Sequence, residues 1–123
     1  MRSQKGFTLI EIIAVLIILG ILAAVAVPRY IDLQSEARIK AVQGAVAALQ
    51  STATMMYAQQ LLNGTANATN WGPPAAVQNI GDYYGTINGS GTGNQTVSVT
   101  VTGPADLITD VPPANLTKNF NLW

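Results

Sequence analysis

The sequence predicts an α+β fold in which one long N-terminal α-helix carries a small antiparallel β-sheet packed on its C-terminal half. Apolar residues follow one another almost without interruption from Phe7 to Val27, and they then recur at helical spacing as far as Met56. Beyond Gly64 the composition becomes rich in Asn, Thr and Gly, and it includes a segment that alternates apolar and polar residues. We therefore expect a helix over about residues 8–62, followed by a small sheet.

The apolar run from Phe7 to Val27 is long enough to cross the roughly 30 Å hydrocarbon core of a bilayer as a helix. The residues before it include Arg2 and Lys5 and no acidic side chain, a bias that places the N-terminus in the cytoplasm. A secretory signal peptide is the alternative, but its apolar region would be shorter. Glu11 is the only ionisable residue within the run. Because a charge inside a membrane is unfavourable, this carboxylate needs an explanation.

The second half of the predicted helix is amphipathic. Pro28 lacks an N–H donor, so it should kink the helix without ending it. At the other end, Asn63-Gly64 can adopt the left-handed backbone conformation that ends a helix. Between them, apolar residues recur at steps of three and four and form one stripe that should face the sheet: Ile39, Val42, Val46, Leu49, Ala53 and Met56.

The C-terminal part is expected to form a small antiparallel sheet. Residues 83–87 and 95–102 read as a hairpin joined by a Gly-rich loop, and residues 106–111 and 118–123 are expected to add two short strands. The segment between the helix and the hairpin reads as a loop anchored by Trp71 and Val77. The side chains expected to meet the helix stripe are Val97, Val99 and Val101.

Composition excludes several classes of function. The chain has 123 residues, no cysteine and no histidine, so disulfides, histidine-based catalysis and the common zinc sites are excluded. The formal net charge is zero and no basic patch indicates a nucleic-acid site. Asp32 and Glu36 share a helix face, which directs both to solvent or to a basic residue of a neighbouring subunit. The Asn-x-Ser/Thr triplets follow from the loop composition. We expect neither an enzyme nor a cofactor.

Residues 1–30 closely resemble the N-terminal segment of type IV prepilins. The matching features are a short basic leader ending in Lys-Gly, then FTLIE, an unbroken apolar run and Pro28. In that family a prepilin peptidase cuts after the glycine, here Gly6, and the new terminal residue, here Phe7, becomes N-methylated. Further along, PRYIDLQSEAR followed by VQGAVAALQ resembles the helix of type IVa pilins of the mannose-sensitive haemagglutinin kind.

The resemblance implies a structural subunit that polymerises through its apolar helix into a helical pilus, or fimbrium, that serves adhesion, motility or uptake. Its partners would be copies of itself, the prepilin peptidase and the pilus assembly machinery. It would lie in the inner membrane as a precursor and then on the cell surface in the filament. The implied organisation is a cleaved leader over 1–6, a transmembrane and filament-core helix over 7–28, an amphipathic helix over 29–63, and a loop with a small sheet as head over 64–123.

The resemblance also suggests assembly roles for Phe7, Glu11, Gly20 and Pro28. When apolar helices bundle, a buried Glu11 needs a cation, and the Phe7 amine of a neighbouring subunit would supply it. Arg29 lies too far along the helix, at roughly 27 Å. Glu11 would then fix the axial register between subunits. Gly20 would permit close helix approach. Around Pro28 the helix would either melt locally in filaments or simply kink at the membrane exit.

Two alternatives share the same N-terminal features. The first is a pseudopilin of a type II secretion system. Major pseudopilins carry a calcium site in a C-terminal loop, for which Asp82, Asp106 and Asp110 are weak candidates here. Calcium takes six to eight oxygen ligands, and nothing in the sequence spaces these residues as a dedicated loop, so no metal is predicted. The second alternative is a single-pass membrane-anchored protein that does not assemble.

Overall fold

The structure, a computed structural model, describes residues 6–66, 71–73, 76–89 and 96–122. Its elements confirm the predicted α+β class, with one long helix followed by an antiparallel sheet. The chain divides into two compact units, Met1–Gln34 and Ser35–Trp123. In chain order the elements are α1 (Leu9–Leu62), β1 (Gln78–Ile80), β2 (Tyr83–Gly89), β3 (Thr96–Gly103), α2 (Ala105–Ile108), α3 (Pro113–Leu116) and β4 (Thr117–Asn121).

In the first unit, α1 presents apolar side chains to solvent on every side. Every residue from 6 to 38 is exposed. The helix continues through Pro28, as predicted, because a proline removes only one backbone donor and strong helix formers such as Ala24, Ala26 and Arg29 stand close to it. By length and composition, this helix is able to cross a membrane.

The second unit is built on a four-stranded sheet. All neighbouring strands pair antiparallel in the order β1-β2-β3-β4, which follows the chain. The predicted hairpin is confirmed as β2 and β3, and the predicted C-terminal strand is confirmed as β4. Between β2 and β3 the register shifts at Tyr84 and Gly85, which marks a β-bulge.

The core of this unit lies between the α1 stripe and the inner face of the sheet. Along the stripe the central side chains are buried, whereas Ile39 and Met56 pack at its two ends and are only partly buried. Because strand side chains alternate, every second residue of β3 points to the same core. The predicted stripe and its partners are confirmed as Val42, Val46, Leu49 and Ala53 against Val97, Val99 and Val101.

Two features differ from the prediction for the strands. Residues 106–111 were expected to form a strand, but the chain makes a short helix, α2, directly after Pro104. Ile108 and Val111 still reach the core, from a helical turn rather than from alternate positions of a strand. Strand β1 was not predicted, because QNI has no alternating pattern and is held by its pairing with β2.

One of the two predicted anchors in the long loop is confirmed. Trp71 is 1 % exposed, and its ring meets the ring of Tyr57 edge to face with the centroids 5.5 Å apart. Val77, in contrast, is 57 % exposed, so its prediction as an anchor was wrong. The end of α1 is as predicted, since Gly64 adopts the left-handed conformation just after Leu62.

Candidate assembly site

The N-terminus of α1 is closed by a reciprocal pair of hydrogen bonds between Thr8 and Glu11. The Thr8 backbone N–H donates to Glu11 Oε2 at 2.7 Å, and the Glu11 backbone N–H donates to Thr8 Oγ1 at 3.4 Å. This arrangement is a capping box, in which each side chain satisfies an N–H group that the first helical turn leaves free. It also places the carboxylate at the positive end of the helix dipole. Glu11 is therefore not a bare carboxylate.

Thr8 is a site residue that the sequence analysis did not identify. Its signal was present in FTLIE, because Ser or Thr followed three residues later by Glu or Gln is typical of a capping box. The local geometry shows that the two residues act together.

The residues at the predicted cut are accessible. Phe7 is 87 % exposed, and a Cβ added to Gly6 would have no atom within 4 Å. Gly20 and Pro28 lie further along α1, and both are exposed. Gly20 likewise has open space where a Cβ would point. The structure thus brings Phe7 and Glu11 to one helix end and places Gly20 and Pro28 elsewhere on the same helix.

Within the described part of the chain, no cation pairs with Glu11. The ion pair that the described residues form is the one between Arg38 and Asp110, at 2.8 Å. Arg29 is the next cation along α1 and stands roughly 27 Å away along the axis. A cation for Glu11 would therefore have to come from outside the described residues of this chain.

The structure does not bring the three weak metal candidates together. Asp110 accepts a hydrogen bond from Arg38, Asp106 lies in α2, and Asp82 lies in the turn between β1 and β2. Over the residues that the structure describes, no three His, Cys, Asp or Glu side chains lie close enough to one another to hold a metal ion.

Comparison with known proteins relates both the N-terminal segment and the rest of the chain to filament proteins. The family model of the prokaryotic N-terminal methylation motif matches residues 1–27. A fimbrial protein of Pseudomonas aeruginosa is 33 % identical over 109 residues, which cover 88 % of this chain and 68 % of that protein. The type IV major alpha-pilin of Moraxella bovis is 35 % identical over 106 residues, or 86 % of this chain and 64 % of that protein.

A secretion protein is also similar, but over a shorter stretch. The type II secretion system core protein G of Pseudomonas aeruginosa is 43 % identical over 54 residues, which cover 44 % of this chain and 38 % of that protein. No solved structure matches the chain significantly. The similarity to the fimbrial protein covers 88 % of the chain, so it extends well beyond the N-terminal motif and into the second unit. The chain belongs to the type IV pilin family.

Proposed function

We propose that this chain is the structural subunit of a type IV pilus and that it polymerises through the N-terminal part of α1. The observation that carries the proposal is the exposure of the apolar helix surface, where every residue from 6 to 38 is open to solvent. Soluble monomers rarely leave so large a continuous apolar surface uncovered. A membrane can cover it before assembly, and the same helices of neighbouring subunits can cover it afterwards.

The order of events follows from the two environments of this helix. The precursor sits in the inner membrane with its basic leader in the cytoplasm. A prepilin peptidase cuts between Gly6 and Phe7, the new Phe7 amine is methylated, and the assembly machinery moves the subunit into a surface filament. The exposure of both residues supports access by such an enzyme. Fimbrial proteins among the relatives support the surface destination.

Glu11 has two roles in this proposal. It caps its own helix through Thr8, and this cap remains after processing because both residues lie beyond the cut. Oε2 holds the Thr8 N–H, and a carboxylate has lone pairs left to accept further donors. The Phe7 amine of a neighbouring subunit supplies these further donors when the helices bundle. Burying the carboxylates without cations would be strongly unfavourable, so one axial register between subunits is selected.

Three variants separate capping from charge pairing. Glu11→Gln keeps a side chain that can complete the capping box but removes the charge, Glu11→Ala removes both, and Thr8→Ala removes only the threonine part of the cap. Loss of one partner of a buried pair costs about 3–5 kcal/mol, or about two orders of magnitude or more in the association constant. Loss of a cap costs about 0.5–2 kcal/mol. We expect both Glu11 variants to lose surface filaments and Thr8→Ala to retain them.

The measurement compares sheared filaments with the membrane pool of each variant, and mass spectrometry confirms that the leader was removed. All variants should accumulate in the membrane, because removing a charge does not hinder insertion. Normal filament yield from processed Glu11→Gln would show that Glu11 only caps the helix. Failure of insertion or processing would place its role before assembly.

The pseudopilin alternative is supported by a shorter similarity than the pilin assignment. The core protein G match covers 44 % of the chain, whereas the fimbrial match covers 88 %. The longer match therefore favours a pilin. Electron microscopy of filaments sheared from cells, with an antibody against this chain, distinguishes the two. Labelled surface filaments are expected, and their absence from cells that export a processed subunit would favour the secretion role.

A further inference from the structure

Among the described residues, the outer face of the sheet consists of uncharged polar side chains and one tyrosine. Paired residues on antiparallel strands share a face. Val97, Val99 and Val101 point to the core, so the residues that alternate with them along β3 point away from it. Their partners on β2 and β4 lie on the same outer face. All described members of this outer face are half-buried or exposed: Asn79, Tyr84, Thr86, Asn88, Thr96, Ser98, Thr100, Thr102, Thr117, Asn119 and Asn121.

These side chains are ordered in rows that cross three strands. One row is Thr86, Thr100 and Thr117, and the next is Asn88, Ser98 and Asn119. Within a row the residues are about 4.8 Å apart, and successive rows are about 6.8 Å apart. Side-chain hydrogen bonds hold the grid. Thr100 Oγ1 and Thr117 Oγ1 are 3.1 Å apart, and Thr96 Oγ1 donates to Asn121 Oδ1 at 3.3 Å.

Charge is absent from this outer face among the described residues. The charged side chains of the second unit lie on α1, on α2 and the turn after it, at the β1–β2 turn, and at Lys118. Lys118 pairs with core-facing Val99, so it belongs to the opposite face of the sheet. A solvated sheet face usually mixes Lys and Glu among its polar residues. A grid of hydroxyls and amides alone cannot recognise a charged polymer by ion pairing.

Tyr84 adds a flat apolar element to the grid. It pairs with Gly103, and its ring lies where a Cβ on Gly103 would project, so the glycine lets the ring lie against the strand. One side of the ring lies against Gly103, yet Tyr84 remains 40 % exposed. Side chains that combine an apolar face with a polar tip suit surfaces that meet ligands in water.

We propose that this outer face binds a neutral polysaccharide. Sugar rings have C–H faces that can stack on Tyr84 and hydroxyl groups that can both donate to and accept from Thr, Ser and Asn side chains. The absence of charge disfavours nucleic acids and acidic polymers. The inference goes beyond the proposed function, and it rests on that function only for the display of this face on a filament. Repetition along a filament would multiply a weak single contact.

The test measures sedimentation of the detergent-solubilised full chain with microcrystalline cellulose, and with alginate particles as the acidic counterpart. This assay needs no filament, so failure to bind sugar and failure to assemble are observed separately. One variant is Tyr84→Ala. A second is the triple change Thr86→Val, Thr100→Val and Thr117→Val, which keeps the shape of the row and removes its hydroxyls.

We expect wild type to bind cellulose in preference to alginate. Each face variant should weaken binding about tenfold or more, which corresponds to about 1.4 kcal/mol or more. The matched controls are Tyr30→Ala, which removes an exposed tyrosine from α1, and Thr54→Val, which removes a hydroxyl that bonds its own helix at Gln50 O. Both should bind like wild type. Circular dichroism verifies that the sheet is intact in each variant.

Three results would overturn the proposal. The first is no binding of wild type to cellulose, and the second is equal binding to alginate. The third is unchanged binding by the triple valine variant with its sheet intact, which would show that the hydroxyl row does not contact sugar. If the triple valine variant forms no filaments and wild type does not bind cellulose, the outer face is instead a contact between subunits.

Discussion

At the scale of single residues, Leu49 and Gly85 set how closely the helix approaches the sheet. Leu49 is fully buried, and its Cδ1 lies 2.7 Å from the point where a Cβ on Gly85 would stand. The carbonyl oxygen of Thr100 lies close to the same point. Gly85 therefore has no room for a side chain, and the leucine fills the space that the glycine leaves. The sequence pattern identified Leu49 but gave no reason for the glycine.

Leu49→Ala should destabilise the second unit by about 2–5 kcal/mol, because it removes a buried side chain and leaves a cavity beside Gly85. Urea unfolding of the detergent-solubilised full chain, followed by near-ultraviolet circular dichroism, measures the change. The matched control is Leu62→Ala, since Leu62 is 89 % exposed and should change stability by less than about 0.5 kcal/mol. Equal effects of the two substitutions would contradict the packing described here.

At the scale of elements, α1 is one continuous helix that contains a proline. Pro28 leaves the carbonyl of Ala24 without its usual intrahelical donor, yet the helix continues to Leu62. The ion pair between Arg38 and Asp110 joins this helix to the segment after α2. Both side chains are largely exposed, so the pair contributes at most about 1 kcal/mol. Apolar packing rather than this pair holds the sheet to the helix.

Pro28→Ala should restore the missing N–H donor and stabilise the helix locally by up to about 3 kcal/mol. Hydrogen exchange of the amides around Ala24 and Pro28 in the detergent-solubilised chain should then become slower. If local melting at this position lets filaments extend, filaments of the variant should also resist stretching. Val27→Ala is the control, because it leaves the backbone hydrogen bonds unchanged. Unchanged hydrogen exchange in Pro28→Ala would show that the proline does not destabilise the helix locally.

For the molecule as a whole, the proposed processing would change both the N-terminus and the charge. Cleavage after Gly6 would remove Arg2 and Lys5 and leave four basic residues of the six against six acidic ones, a formal side-chain charge of −2. We expect the intact mass of the filament subunit to match a chain that begins at Phe7 with one added methyl group. A retained leader in surface filaments would contradict this order of events.

Gly6→Val should block the cut and leave the precursor in the membrane. Because a Cβ at this position meets nothing within 4 Å, the substitution leaves the fold itself undisturbed, and the loss would reflect recognition by the peptidase. Gly20→Ala is the control, since that glycine is equally open but lies away from the cut. Intact-mass measurement of membrane fractions separates the two variants. Normal cleavage of Gly6→Val would refute the assigned cut.

The long helix, its buried stripe, the central hairpin and the family could all be predicted from the sequence. The structural features among these depend on local periodicity, since a residue's place on a helix or strand fixes which face it joins. The capping box of Thr8 and Glu11 is equally local, and its spacing is present in the sequence. The candidate cut at Gly6 and the assembly residues remain predictions.

The rest of the second unit depends on contacts between residues that are distant in the chain. Strand β1 exists because β2 offers a partner, and residues 106–111 form a helical turn because Ile108 and Val111 reach the core from there. Trp71 is buried and Val77 is exposed, although both stand in the same irregular segment. Short elements have too few residues for a pattern, so their form depends on neighbours distant in sequence. The uncharged outer face arose in the same way, when pairing brought separate polar residues into shared rows.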